Sequence, residues 1–228
     1  MDRQIVIARY NEDISWAAGL PAIVYNKGAA LATDLPQEPL PNVGRESHTY
    51  LHHILSKWDD LAEMTLFTQA GFADHLPAFM KLEQLFDPQV DMVIPHLFRM
   101  REWDADGRLI YPRQWKALYD TGKIKHAPLT LAQWFAARLN IDLLAQSAIL
   151  YTPGAMFSVG KSCIHQRPRQ FYEQLLADVA HDTNPEEGHY LERAWCYIFA
   201  TPGAKLRYLA LPKTNPPAAP PPSAPTAQ

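Results

Sequence analysis

The sequence predicts an α/β fold: a single-domain layered sheet of mostly parallel strands flanked by helices. Three observations carry that expectation. Short apolar runs alternate with longer amphipathic segments over most of the chain, the pattern of successive strand–helix units. The first runs are apolar throughout, as strands buried on both faces are. Each also stops abruptly in polar residues: Ile5–Ala8 runs into Arg9, Tyr10, Asn11, Glu12 and Asp13, and Ala22–Tyr25 into Asn26, Lys27 and Gly28. In open parallel sheets ligands sit beyond the carboxyl ends of the strands, so these tips are expected to be crevice loops.

The elements follow in chain order. Ile5–Ala8 and Ala22–Tyr25 are the first two strands. Gly44–Trp58 is a helix, because Tyr50, Leu51, Ile54, Leu55 and Trp58 recur at helical spacing. Met64–Ala70 is a strand, Leu76–Leu85 is helical, and residues 89–98 contain a fourth strand. Thr130 is placed to N-cap a helix that begins after Pro128. Residues 149–160 form a strand interrupted at Pro153 and Gly154, and 167–180 and 186–200 are two further helices. The folded unit is expected to span 1–210. Residues 211–228, rich in proline and without an aromatic residue, cannot build a core and read as an extended, disordered tail or a docking tail.

Bulk composition narrows the class of function. Of 228 residues 47% are hydrophobic, enough for a sizeable core, and the net charge of −3 gives no strong pull toward nucleic acid or an anionic membrane. Two cysteines, outside any C-x-x-C pair, signal neither a disulfide framework nor structural zinc. No apolar run is long enough for a membrane helix, and the expectation is a cytoplasmic protein.

Several side chains stand where chemistry is done. Arg9, Asn11 and Glu12 can hydrogen-bond a base or ribose, or else Asn11 or Asp13 caps the next turn with Trp16 packed under it. Lys27 can meet a phosphate at a turn that Gly28 permits. Asn42, Gly44, Arg45 and Glu46 form a helix entrance suited to an anion. His48 and His52 lie at i, i+4, a spacing that binds metal or sits as a satisfied face. Asp74 and His75 follow the third strand, and Asp104 and Asp106 form a D-x-D. Either pair suits Mg²⁺ or Mn²⁺ carrying a diphosphate, although Asp106-Gly107 equally signals a hairpin turn, the favoured reading. Glu192 lies among apolar helix residues, either braced by Arg193, Arg167 or Arg169 or facing a pocket as a base.

The blocks "ARYNED", "YNKG", "NVGRESHTYLHHI", "FTQ" with "DH", "PGAMFSV", "RP", "FY" and "HYLERAW" together resemble a widespread family of uncharacterised bacterial, fungal and viral proteins, a domain of unknown function. The likeness runs from Ile5 to about Phe199. The segment with Asn42, Gly44, Arg45 and Glu46 also resembles the N-x-G-R-D segments of polysaccharide-building glycosyltransferases. That resemblance implies a GT-A-like nucleotide-sugar-binding fold and transfer of a sugar from a nucleotide-diphosphate sugar to a glycan or small-molecule hydroxyl. Arg9, Asn11 and Glu12 would then contact the nucleoside, and Lys27, Asn42, Arg45 and Glu46 the diphosphate side. Asp74 and His75 would hold a divalent cation, and Glu192 would be the general base. The chain departs from that class in having "GFADH" where a D-x-D usually stands. The rival expectations are a metal-dependent hydrolase built on His48, His52 and His75, and a non-catalytic carbohydrate- or partner-binding module.

Overall fold

The computed structural model describes residues 2–71, 73, 81–95, 97–209 and 213–214, the last two as backbone only. Among the described residues ten strands form two sheets: β1 (Arg3–Arg9), β2 (Ala22–Asn26), β3 (Gln37–Pro39), β4 (Met64–Gln69), β5 (Met92–Ile94), β6 (Phe98–Met100), β7 (Ile149–Tyr151), β8 (Phe157–Gly160), β9 (Leu206–Tyr208) and β10 (Lys213–Thr214). The main sheet has the order β3-β2-β1-β4-β8-β5-β9. It is parallel except at β8, which runs antiparallel to both β4 and β5. The small sheet has the order β10-β6-β7.

The side-chain period of two divides the core. Val6, Phe67 and Phe157 point to one face of the main sheet, and Ile5, Ile7 and Leu66 to the other. Helices α1 (Arg45–Ser56), α5 (Arg169–Val179) and α6 (Glu186–Phe199) cover the first face with Tyr50, Leu51, Ile54, Tyr172, Leu175, Trp195 and Phe199. The second face is closed by Ile14, Ala17 and Leu85 from two short 3-10 segments, Ser15–Ala17 and Leu82–Leu85. That second segment is what the structure describes of the helix expected over 76–85; residues 76–80 lie outside the described residues.

Thr130 caps α3 (Leu131–Leu139) in a reciprocal box: its hydroxyl accepts from the Gln133 N–H, and Gln133 Oε1 accepts from the Thr130 N–H. The run expected to contain a fourth strand, and the run expected to be one strand interrupted at Pro153 and Gly154, each hold two strands parted by a proline. Pro95 separates β5 from β6, and Pro153 separates β7 from β8; in both cases the halves join different sheets. Strands β3 and β9, the one-turn α4 (Lys161–Ile164) and helix α2 (Arg113–Asp120) have no counterpart in the sequence reading. Of the proline-rich segment only Lys213–Thr214 is described, paired in parallel with β6. Among the described residues no helix is long and apolar enough to cross a membrane.

Candidate functional site

The strand order reverses at β1: β2 and β3 follow on one side, while β4 pairs on the other. A crevice opens at such a switch point because the connections leave in opposite directions. Ala8 and Gln69, register partners across the β1/β4 boundary, both line a crevice of about 340 Å³. Arg9, Tyr10 and Glu12 after β1, Lys27 after β2, and Asn42, Arg45 and Glu46 at the start of α1 complete most of its wall.

The loops are fixed by their own polar groups. Arg9, 7% exposed, donates from Nε to the Glu12 carbonyl (2.9 Å) and from Nη1 to Asn26 Oδ1 (2.8 Å) and the Ala29 carbonyl (3.1 Å). Glu12 Oε2 accepts the N–H groups of Tyr10 and Asn11. Asn11 Oδ1 accepts the Ala29 N–H at 2.9 Å, and Asn11 is not among the lining residues. Lys27 Nζ donates to the carbonyls of Val43 (2.6 Å) and Arg45. Burial lowers the Lys27 pKa to about 8 against the pull of Glu46. Arg9 and Lys27, which looked from the sequence like cations awaiting a ligand, therefore hold the loops together, and Lys27 keeps one donor to spare.

Gly28 sets how closely the first two loops approach. A Cβ there would lie 1.5 Å from the Tyr10 carbonyl oxygen, a backbone atom that can move only with its whole loop. Gly28→Ala is expected to cost at least the roughly 1–3 kcal/mol of an overpacked site. That is a fall of about 2–12 °C in melting temperature, read by circular dichroism. An unchanged melting temperature would contradict the packing described.

A second lobe of about 370 Å³ shares Arg45, Gln69 and Trp115 with the first, so the two are one crevice. Its floor is the turn Pro153–Ala155. There the Gly154 carbonyl accepts from Gln69 Nε2 (3.0 Å), and the Gly154 N–H donates to Glu192 Oε1 (2.8 Å). Arg193, 6% exposed, donates to Glu192 Oε2 (2.7 Å), Glu102 Oε2 (2.9 Å) and the His189 carbonyl (3.1 Å), with its guanidinium 5.1 Å from the Tyr151 ring. Burial works against the Glu192 charge. The Arg193 and Arg45 charges and the Gly154 N–H outweigh it, and its pKa lies below the ordinary value. Glu192 is braced by Arg193, and its side chain, 17% exposed, also lines the crevice.

Arg45 stands at the junction. Its guanidinium lies 5.2 Å from the Trp115 ring, and Nη1 is 2.9 Å from Nε2 of His189. Burial, with Arg45 and Arg193, lowers the His189 pKa to about 2, so the ring is neutral and can accept that bond. Gly44 and Arg45 both take left-handed backbone (φ 60° and 52°), as do Gly154 and Ala155 (φ 75° and 51°). Strain of this kind concentrates where a site needs a fixed, unusual geometry. Here it flanks the crevice on two sides.

The histidine face of α1 is partnered within the fold, apart from His48 Nδ1 and His53 Nε2, which are buried without a hydrogen bond. His52 Nε2 lies 2.8 Å from Glu38 Oε1, His53 Nδ1 lies 2.9 Å from the Tyr25 hydroxyl, and His48 stacks on His52. Among the described residues no three His, Cys, Asp or Glu side chains group closely enough to hold a metal. Asp74 and His75, the expected cation ligands, lie outside the described residues. Asp104 and Asp106 form a turn instead: Asp104 Oδ1 accepts the N–H groups of Asp106 and Arg108, and Trp103 pairs with Leu109.

Three buried histidines make the fold acid-sensitive. Burial lowers the pKa of His48 to about 4, helped by Lys27 and His52; that of His53 to about 3, helped by Lys57 and His52; and that of His189 to about 2. The unfolded chain takes up these protons below about pH 6.5, and the folded chain does not until much lower pH. Their contribution to stability is therefore full above about pH 6.5 and lost as pH falls toward the folded values. Each adds at most about 1.4 kcal/mol per pH unit. Urea unfolding is expected to show stability flat above about pH 7 and falling steeply from about pH 6 to 4.5. A flat profile across that interval would contradict the neutral, buried assignment.

Sequence reasoning missed Gln69, Glu102, Tyr111, Trp115, Tyr151 and His189 as lining residues. Trp115, Leu118 and Tyr119 do recur at i, i+3, i+4, a signal that would have marked α2.

A family model described as "Protein of unknown function (DUF3431)" matches residues 5–207. No curated protein matches the chain.

Proposed function

Since the chain belongs to the DUF3431 family of proteins of unknown function, we propose from the crevice itself that this protein is a glycosyltransferase of the GT-A-like type. It takes a nucleotide-diphosphate sugar across the two lobes. The observation that carries the reading is the continuity of one crevice, at the β1/β4 switch point, through the single shared cation Arg45. Fold alone assigns no chemistry. The residue types support it: carboxylates and amides in the first lobe suit a nucleoside, an arginine at the waist suits a diphosphate, and aromatic rings with a carboxylate in the second suit a sugar.

In this reading Glu12, Glu46 and Asn42 meet the nucleoside. Arg45, supported by the Lys27 contacts to its own carbonyl and that of Val43, meets the diphosphate. Glu192 faces the acceptor hydroxyl. It is ionised near neutral pH, and it takes the hydroxyl proton as the oxygen attacks the anomeric carbon; the bond from that carbon to the diphosphate oxygen breaks, and the nucleoside diphosphate leaves with its new negative charge against Arg45. The described residues supply no ligand set for a divalent cation, and no step here runs through one. The depressed pKa of Glu192 also favours the rival reading of a non-catalytic carbohydrate-binding module, since a weak base suits hydroxyl binding as well as proton transfer.

The test is a thermal-shift screen of UDP, GDP, CMP and dTDP sugars, each with and without Mn²⁺. A ligand at about 100 times its Kd stabilises by about 2.7 kcal/mol, or about 5–10 °C for a chain of this size. At least one nucleotide sugar is expected to reach that shift. If none of the four classes shifts the transition under either condition, the proposal fails.

A further inference from the structure

We propose that the second lobe selects an uncharged pyranose ring, against acidic sugars. This rests on the nucleotide-sugar reading for placing a sugar there; the selection comes from the lobe's own chemistry. Of its charged side chains, Arg45 stands at the waist with Nε 3.5 Å from Glu46 Oε2 and is the cation given to the diphosphate. That leaves Arg193 held between Glu102 and Glu192, with Tyr151 donating its hydroxyl to Glu102 at 3.2 Å. His189 adds no charge, because its ring is neutral. A ligand carboxylate entering this set would be desolvated with no free cation to meet it and two carboxylates beside it, and a buried charge without a partner is strongly disfavoured.

What the lobe offers is suited to a neutral polyol. Tyr111, Trp115 and Tyr151 give ring surface for the C–H face of a pyranose. Gln69 donates its amide N–H to Gly154, and its Oε1 takes no bond among the described residues. Tyr111, nine-tenths buried in the wall, has a hydroxyl without a partner. Burial, foremost, raises its pKa, so it stays protonated and remains a donor. Ring faces beside uncommitted acceptors and donors match a ring that carries apolar C–H bonds and neutral hydroxyls together.

The experiment is saturation-transfer NMR on the full chain with methyl glucoside, galactoside and mannoside, set against glucuronate at equal concentration. At least one neutral glycoside is expected to bind better than glucuronate. Trp115→Ala, on a helix whose residues are half-buried at most, should weaken that signal about three- to tenfold while the fold is retained. Glu102→Gln removes one of the two carboxylates and should shift the preference toward glucuronate. Equal or better binding of glucuronate, no binding of any neutral glycoside, or a signal untouched by Trp115→Ala would each overturn the inference. The nucleotide screen reads the other lobe. A nucleotide-sugar shift without glycoside binding defeats this inference alone, and glycoside binding with no nucleotide shift defeats the transferase reading alone.

Discussion

Arg193→Met is expected to lower the melting temperature by about 6–20 °C. Methionine keeps most of the apolar stem, so the change isolates the charge. Arg193 is 6% exposed and is the cation between two carboxylates, 2.7 Å from Glu192 and 2.9 Å from Glu102. Removing one partner of a buried ionic group costs roughly 3–5 kcal/mol, because the remaining charge is left uncompensated. For a domain of this size each kcal/mol moves the transition by about 2–4 °C. The sign of the pH dependence follows. Glu192 has a lowered pKa in the native fold, so its contribution is present above the unfolded value near pH 4.3 and lost as pH falls through its folded value. Without Arg193 the Glu192 carboxyl loses the largest charge that holds its pKa down, and protonation relieves it. The deficit of the variant should therefore be greatest near neutral pH and narrow in acid. Melts of both proteins across that range check it. Equal melting temperatures would mean that the Glu102–Arg193–Glu192 cluster carries no net stability.

On the proposed transferase reading, Glu192→Gln is expected to lower turnover by about 10²–10⁴, the usual cost of losing a general base. The introduced glutamine retains the shape and can still accept the Gly154 N–H, but its amide nitrogen then faces Arg193 Nη1, donor against donor. Arg193 keeps Glu102, so the stability loss should stay near the roughly 1–3 kcal/mol of one unsatisfied buried group. Donor affinity should hardly move, since the proposal places the nucleoside and diphosphate against the other lobe. Turnover and melting temperature measured on the same preparation, at a temperature where the variant is folded, separate the roles. Turnover within a few-fold of the parent would make Glu192 a brace for the Pro153–Ala155 turn and favour the binding-module reading.

Much of this architecture was legible because its signals are local. The apolar runs of β1, β2 and β4, the helical spacing of Tyr50, Leu51, Ile54 and Leu55, and the Thr130 cap each announce one element within a few residues of chain. The abrupt polar tips of β1 and β2 likewise pointed to the crevice mouth. What stayed hidden is non-local or weak. Glu102 meets Arg193 across 91 positions, and Gln69 meets Gly154 across 85. No spacing rule reads such pairs. Arg9 and Lys27 carry the residue types of ligand contacts, and only the fold shows that backbone carbonyls take most of their donors. Helix α2 packs on the core only through the half-buried Trp115, Leu118 and Tyr119, a stripe of one turn, and its one crevice residue, Trp115, was overlooked with it. Strands β3 and β9, three residues each at the sheet edges, are too short to show a period.

The central claim is that one ligand spans both lobes across Arg45. It is tested most directly by a crystal structure of the complex with the nucleotide sugar that gives the largest thermal shift. The account predicts the nucleoside beside Ala8 and Glu12, the diphosphate against the Arg45 guanidinium, and the sugar ring against Trp115 with its anomeric carbon on the Glu192 side. A nucleotide bound away from the β1/β4 switch point, or a sugar that turns out of the second lobe and leaves Glu192 without a neighbour, would contradict it.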